Sequence, residues 1–398
     1  MRTKLFLALR ISVVIALVLM FRTFILSGVA APNDTPRNAP ETPAAGEPPV
    51  RTSGQRIMLA LLLDTSNSMD GLIEQAKSQL WKVVNQLAAA KCENGERPSI
   101  SIALYEYGNS GLREDNGYIR LVSPLTSDLD LISQKLFSLT TNGGDEYCGM
   151  VIRTSLNELA WSSSAADLKM IFIAGNEPFD QGPVPYRKAC ALAKEKDVVV
   201  NTIFCGGFGE GVETSWKDGA IFTGGTYMSI DHNTKTEYIA TPYDDQIADL
   251  NDKLNDTYVH YGNAGAAKKQ LQMEQDFNAE HYSKSNKAER AISKSSHVYK
   301  NEDWDLVDAV KKDSKAVSNA NAAQLPAEMQ KMTVAEREVY VKQKAVERMR
   351  IQSEIQQLDA KRKEYTAKQA PAAAGDKSLD GVLMKSVKAK AKEKKMDF

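Results

Sequence analysis

Four textures of hydrophobic and polar positions succeed one another along the chain. An apolar run, Ile11 to Phe21, stands behind Arg2, Lys4 and Arg10, and a second apolar stretch reaches from Phe24 to Ala31. Residues 32 to 55 are polar and rich in proline. From Ile57 short apolar runs alternate with stretches of helical period. Beyond residue 262 the chain is polar, with apolar residues at helical spacing only.

The third texture predicts alternating strands and helices. Ile57 to Leu63 is continuously apolar, the pattern of a strand buried on both faces. Leu72, Ala76, Leu80, Val83 and Leu87 then recur every three or four residues, the stripe of a helix. Further strands are predicted at 100–107, 118–122 (an edge hairpin partner), 168–173, 198–204 and 226–230, and helices at 129–139, 150–161 and 184–196. Thr241-Pro242 opens a closing helix with the stripe Ile247, Leu250, Leu254 and Tyr258. Such alternation implies an α/β fold, a doubly wound and mostly parallel sheet, with ligands bound outside the carboxyl ends of its strands.

The flanking textures set the remaining boundaries. Residues 1–31 read as a signal peptide cut after Ala30 or as an uncleaved anchor, because the run Ile11–Phe21 is short of the roughly 20 residues that span a bilayer. Residues 32–55 suit an extended linker. The α/β domain occupies 56–262, and an α-helical C-terminal region follows at 263–368. Within it Ile351, Ile355, Leu358 and Tyr365 recur at heptad-like spacing, but over fewer heptads than a coiled coil needs, so packing against other helices is expected. Residues 369–398 read as a linker and a solvated, lysine-rich tail.

The candidate chemistry follows the first strand directly. Asp64, Ser66 and Ser68 form D-x-S-x-S, one carboxylate and two hydroxyls at alternate positions where a helix begins. Oxygen ligands of this kind suit a hard cation such as Mg²⁺. With Gly143-Gly144-Asp145 and Ile171 to Pro178, this motif resembles a von Willebrand factor type A (VWA) domain of bacterial type over residues 57–230. The resemblance implies a metal-ion-dependent adhesion site with Asp64, Ser66 and Ser68 as ligands. Two loops depart from the family pattern. Asp145 stands where a Thr is usual, followed by Glu146, and Gly175 stands where an Asp is usual. Asp145 is the expected replacement carboxylate, and Asn176 an additional amide oxygen.

Cys148, Cys190 and Cys205 are candidates for a disulfide, as Cys190–Cys205 or Cys148–Cys205, in an exported protein. Cys92 is expected at the far end of the sheet. Composition excludes several classes. A net charge of −1 argues against a nucleic-acid partner, and 42% hydrophobic residues against a disordered chain. The four histidines form no zinc-hydrolase motif, and there is no C-x-x-C. No nucleophile–base pair is visible, so the chain reads as non-enzymatic. The sequence thus describes a protein of the periplasm or cell envelope, secreted or held to the membrane by its N-terminus. It would bind a protein partner that offers an acidic side chain to the metal. The alternative is a structural envelope scaffold in which the helical region binds partners and the head no longer holds metal.

Overall fold

The structure is a computed structural model, and it describes residues 54–369 and 378–398. The readings made above for residues 1–31, and for most of 32–55, lie outside the described residues. Gly54 onward belongs to one compact unit.

Strand β1 (Arg56–Asp64) leads through a 3₁₀ turn into α1 (Asp70–Leu87), then a two-residue strand β2 (Lys91–Cys92), β3 (Ser99–Tyr107) and β4 (Ile119–Thr126). After α2 (Leu129–Phe137) and α3 (Cys148–Glu158) come β5 (Leu168–Gly175), α4 (Tyr186–Glu195) and β6 (Val199–Phe204). Two short helices, α5 (Phe208–Glu213) and α6 (Trp216–Phe222), precede β7 (Tyr227–Ser229). The sheet order is β4-β3-β1-β5-β6-β7. Every pairing is parallel except that of β4, which lies antiparallel on the edge beside β3. This is the mostly parallel α/β sheet the sequence predicts, with β1 at its centre because its residues are apolar on both sides. Ile57, Leu59 and Leu63 face one core with α1, while Ala60 and Leu62 face the other with α3 and α4.

The helical region continues with α7 (Asp244–Asn255), α8 (Gly265–Tyr282), α9 (Lys284–Lys294), α10 (Leu306–Lys312) and α11 (Ala316–Asn319). The long α12 (Val334–Gln369), α13 (Leu379–Glu393) and β8 (Met396–Asp397) end the chain. The closing helix starts at Asp244 rather than Pro242. The Thr241 N–H and hydroxyl both donate to the Asp244 carboxylate, at 2.9 Å each, a capping-box arrangement.

Two expectations need correction. The tail beyond residue 378 is not a solvated lysine tail. Leu379, Val382, Leu383, Met384 and Val387 of α13 enter the same core as Ile57, Leu59 and Leu80, and β8 pairs antiparallel with β2. Lysine dominated the sequence pattern, but Lys385, Lys388 and Lys392 lie on the exposed side of α13 and its apolar stripe on the other. It covers the sheet beside α1, with Ser386 donating to Asn201 Oδ1 at 2.6 Å. Secondly, no disulfide forms: all four cysteines are free and buried. Cys148 and Cys190 belong to the core on one face of the sheet and Cys205 to the core on the other. The two-residue period of β6 and its continuation turns Cys205 away from the helices that carry the other two. As for the heptad-like residues of α12, Ile351, Ile355 and Leu358 are buried against the head in this same core.

If α13 is integral to the core, Leu383→Ala will lower unfolding free energy by about 2–5 kcal/mol, the usual loss for a buried leucine. A change within about 0.5 kcal/mol in a denaturant melt, typical of a surface site, would show a loosely attached tail.

Candidate functional site at the carboxyl end of the sheet

Asp64 ends β1, in register with Tyr107 at the end of β3. The chain turns at once into α1, so Ser66 and Ser68 stay close to the carboxylate. The Ser66 N–H donates to Asp64 Oδ1 at 2.7 Å, and the Ser66 and Ser68 hydroxyls lie 3.1 Å apart. Ser68 donates in turn to Asn176 Oδ1 at 3.3 Å, from the loop after β5. Four of the five residues singled out in the sequence are therefore brought together. The β1 loop is held from both sides: Thr65 N–H donates to Tyr107 O at 2.8 Å, and Asn142 N–H to Thr65 O at 3.0 Å.

The fifth residue is elsewhere. Asp145 is exposed and accepts a hydrogen bond from the Tyr147 hydroxyl at 3.0 Å. Its neighbour Glu146 is buried and turns toward Asp64 instead. Gly108 shows how close the two carboxylates come. It has φ +79°, and a Cβ there would lie 2.7 Å from Glu146 Cγ and 2.8 Å from Asp64 Oδ1. Only glycine fits, both for its left-handed backbone and for want of space. Nothing in the sequence separated Glu146 from Asp145, since the two are adjacent in a loop without period.

Gly175 has a comparable explanation. A Cβ there would meet Tyr107 Oη at 2.6 Å and Asp64 Oδ2 at 3.0 Å. The Tyr107 hydroxyl donates to Ala174 O at 3.0 Å and is fully buried. It fills the place that a side chain at position 175 would take, so an aspartate there would have to displace the buried tyrosine hydroxyl. Tyr107 was not legible as a site residue, because in sequence it closes an apolar strand.

The electrostatics are those of carboxylates without a counter-charge. Burial pushes the Asp64 carboxyl up to about 7, with Glu177 adding to the rise and hydrogen bonds from Ser66 opposing it. Burial likewise pushes Glu146 up to about 8, reinforced by the charges of Asp64 and Glu177. Asp64 Oδ2 is buried and has no hydrogen-bond partner. Among the described residues, neither Asp64 nor Glu146 forms an ion pair with a lysine or arginine, and no three His, Cys, Asp or Glu side chains converge as a metal site. The donor set on offer is hydroxyl-rich instead: Ser66, Ser68 and Asn176 around one or two carboxylates. Such a set fits a hard divalent cation, which would satisfy Asp64 Oδ2 and relieve its repulsion with Glu146.

No family model and no curated protein matches the sequence. Solved structures similar to the chain include VWA domains. One is BatB, a conserved hypothetical protein from Bacteroides thetaiotaomicron, 16% identical over 44% of this chain and 90% of that one, with TM-score 0.33. Another is the SpRpn10 VWA domain, also 16% identical, over 44% of this chain and 88% of that one, with TM-score 0.33. A third is proximal thread matrix protein 1 from the mussel byssus, with a zinc-occupied MIDAS motif. It is 12% identical over 44% of this chain and 42% of that one, with TM-score 0.32.

Asp64 and Glu146 titrate higher in the folded protein than in an unfolded chain, where carboxyls titrate near pH 4. Between those limits the folded state binds more protons. The stability this pair contributes is thus complete below about pH 4 and lost as pH rises through 7 to 8. With chelator present, Glu146→Gln should gain stability relative to the unmutated protein as pH is raised across this window. A difference in melting that stays flat with pH would show that the two carboxylates do not face each other.

Proposed function

We propose that this chain is an exported, non-enzymatic binding protein whose head docks a protein partner through a divalent cation, Mg²⁺ in the first place. The observation that carries this reading is Asp64: a carboxylate buried at the carboxyl edge of the sheet, with one oxygen unbonded and a second carboxylate turned toward it. With both carboxyls ionised, a buried pair of this kind is unfavourable unless a positive charge joins it. Asp64, Ser66 and Ser68 would hold the cation, with Glu146 the neighbouring carboxylate and Asn176 an amide oxygen alongside. A bound cation supplies an open position for an acidic side chain of the partner.

Export rests on Arg2, Lys4 and the apolar runs behind them. Among the described residues no helix is long and apolar enough to cross a membrane, so attachment to a membrane falls to the N-terminal segment in this reading. The scaffold reading draws on a different observation. Val339, Val346 and Met349 leave an exposed apolar line on α12, where a partner could contact the helical region.

Melting curves separate the two. Binding of Mg²⁺ to the native state should stabilise it by about 2.7 kcal/mol at a hundredfold excess over Kd, and Asp64→Ala should abolish the gain while leaving the protein folded. If millimolar Mg²⁺, Mn²⁺ and Ca²⁺ all leave the unmutated protein's melting unchanged relative to chelator, the scaffold reading replaces this one.

A further inference from the structure

We propose that the face around Asp64 selects a basic protein segment carrying a single carboxylate; this rests on the cation-dependent docking just proposed and specifies its partner. The loops 64–70, 108–118, 140–147, 175–185 and 205–215 gather at one end of the sheet. β1 and β3 end together at Asp64 and Tyr107, and β5 and β6 at Gly175 and Phe204. Backbone bonds join the loops into one surface. Ser110 N–H donates to Gly143 O at 2.7 Å, Asn142 N–H to Thr65 O at 3.0 Å, and Phe179 N–H to Thr214 O at 3.0 Å. The Trp216 indole N–H donates to Glu177 O at 2.8 Å.

These five loops hold ten carboxylates and one basic side chain, Arg113, which is itself bound to Asp115. The whole chain carries a net charge of only −1, so the excess is local. Glu114, Asp145, Asp180 and Glu210 are exposed on this face. The neighbouring loop after β7 adds Asp231 and Glu237 against Lys235 and does not reverse the balance. Independently of this rim, the unbonded Asp64 Oδ2 lies buried at the same strand ends and lacks a positive partner among the described residues.

A cation at Asp64 would neutralise the inner carboxylates and leave the outer ones charged. An acidic side chain approaching the cation must therefore pass a negative rim. Rim charges within a Debye length, about 8 Å at physiological salt, act on the flanks of the incoming segment. Lysine or arginine beside the docking carboxylate turns this repulsion into attraction and steers the encounter, while an acidic segment is rejected. The metal thus supplies the anchor, and Asp180, Glu210 and their neighbours supply the choice of sequence around it.

Three synthetic peptides of equal length test this on the full chain: a central Asp between lysines, the same Asp between glutamates, and a central Asn between lysines. In Mg²⁺ at low salt, the lysine-flanked Asp peptide should bind about tenfold or more tighter than the glutamate-flanked one, and high salt should close the gap. Equal binding of those two peptides overturns the inference while leaving the docking reading intact. Chelator without effect, or an Asn peptide as good as its Asp counterpart, overturns the docking reading and the carboxylate requirement with it. Asp180→Lys combined with Glu210→Lys should weaken the lysine-flanked Asp peptide several-fold and leave the Mg²⁺ melting shift unchanged. Unaltered affinity in that variant, with the shift retained, overturns the role given to the rim.

Discussion

The guanidinium of Arg290 is the point through which head and helical region become one body. It has no solvent exposure, lies 2.6 Å from Asp130 on α2 and 3.0 Å from Asp276 on α8, and its carbon sits 4.3 Å from the centre of the Trp81 ring on α1. Lys294, one turn further along α9, reaches Asp276 at 2.9 Å. Burial opposes the charge on Asp276, but Lys294 and Arg290 together outweigh it and hold the carboxyl well below its usual range. A network of this kind adds little net stability over an apolar core of the same shape. Removing one member, however, strands the others in a dry interior, at a cost of about 3–5 kcal/mol. Its effect here is to fix geometry: the arrangement of α2, α8 and α9 brings these four charges together beside the Trp81 ring of α1.

The same logic recurs at two more seams. Arg348 of α12 lies 2.6 Å from Asp305, donates to Thr257 O at 2.6 Å and stacks 3.9 Å over the Tyr258 ring. Arg362, further along that helix, donates to Asp244 Oδ1 at 2.8 Å at the start of α7. The long helix is thereby pinned at two points on the closing elements of the head. With α12 fixed, the chain returns as α13 to cover the sheet beside α1.

At the carboxyl edge of the sheet the governing constraint is the opposite one, a carboxylate left without a positive partner. Asp64 and Glu146 are buried where, among the described residues, neither has a lysine or arginine, and a Cβ at Gly175 would collide with the Tyr107 hydroxyl. The loop before α3 turns Glu146 rather than Asp145 toward Asp64.

The sequence by itself determined the order of strands and helices in the head, the burial of β1 on both faces, the antiparallel edge strand and the cluster of Asp64, Ser66 and Ser68. These are local matters: continuous apolar runs make buried strands, helical spacing makes covering helices, and three side chains on one tight loop have little freedom to part. Only tertiary structure decided which of Asp145 and Glu146 faces inward, because adjacent loop residues carry no periodicity to distinguish them. It alone decided that Gly175 answers to Tyr107, which lies 68 residues away in sequence but beside it in space. It also decided the fate of the last helix, whose lysines read as a tail until its other face met the sheet, and of the cysteines, which β6 divides between two cores. In each case the deciding contact is long-range, and long-range contacts leave no mark on the spacing of residues along the chain.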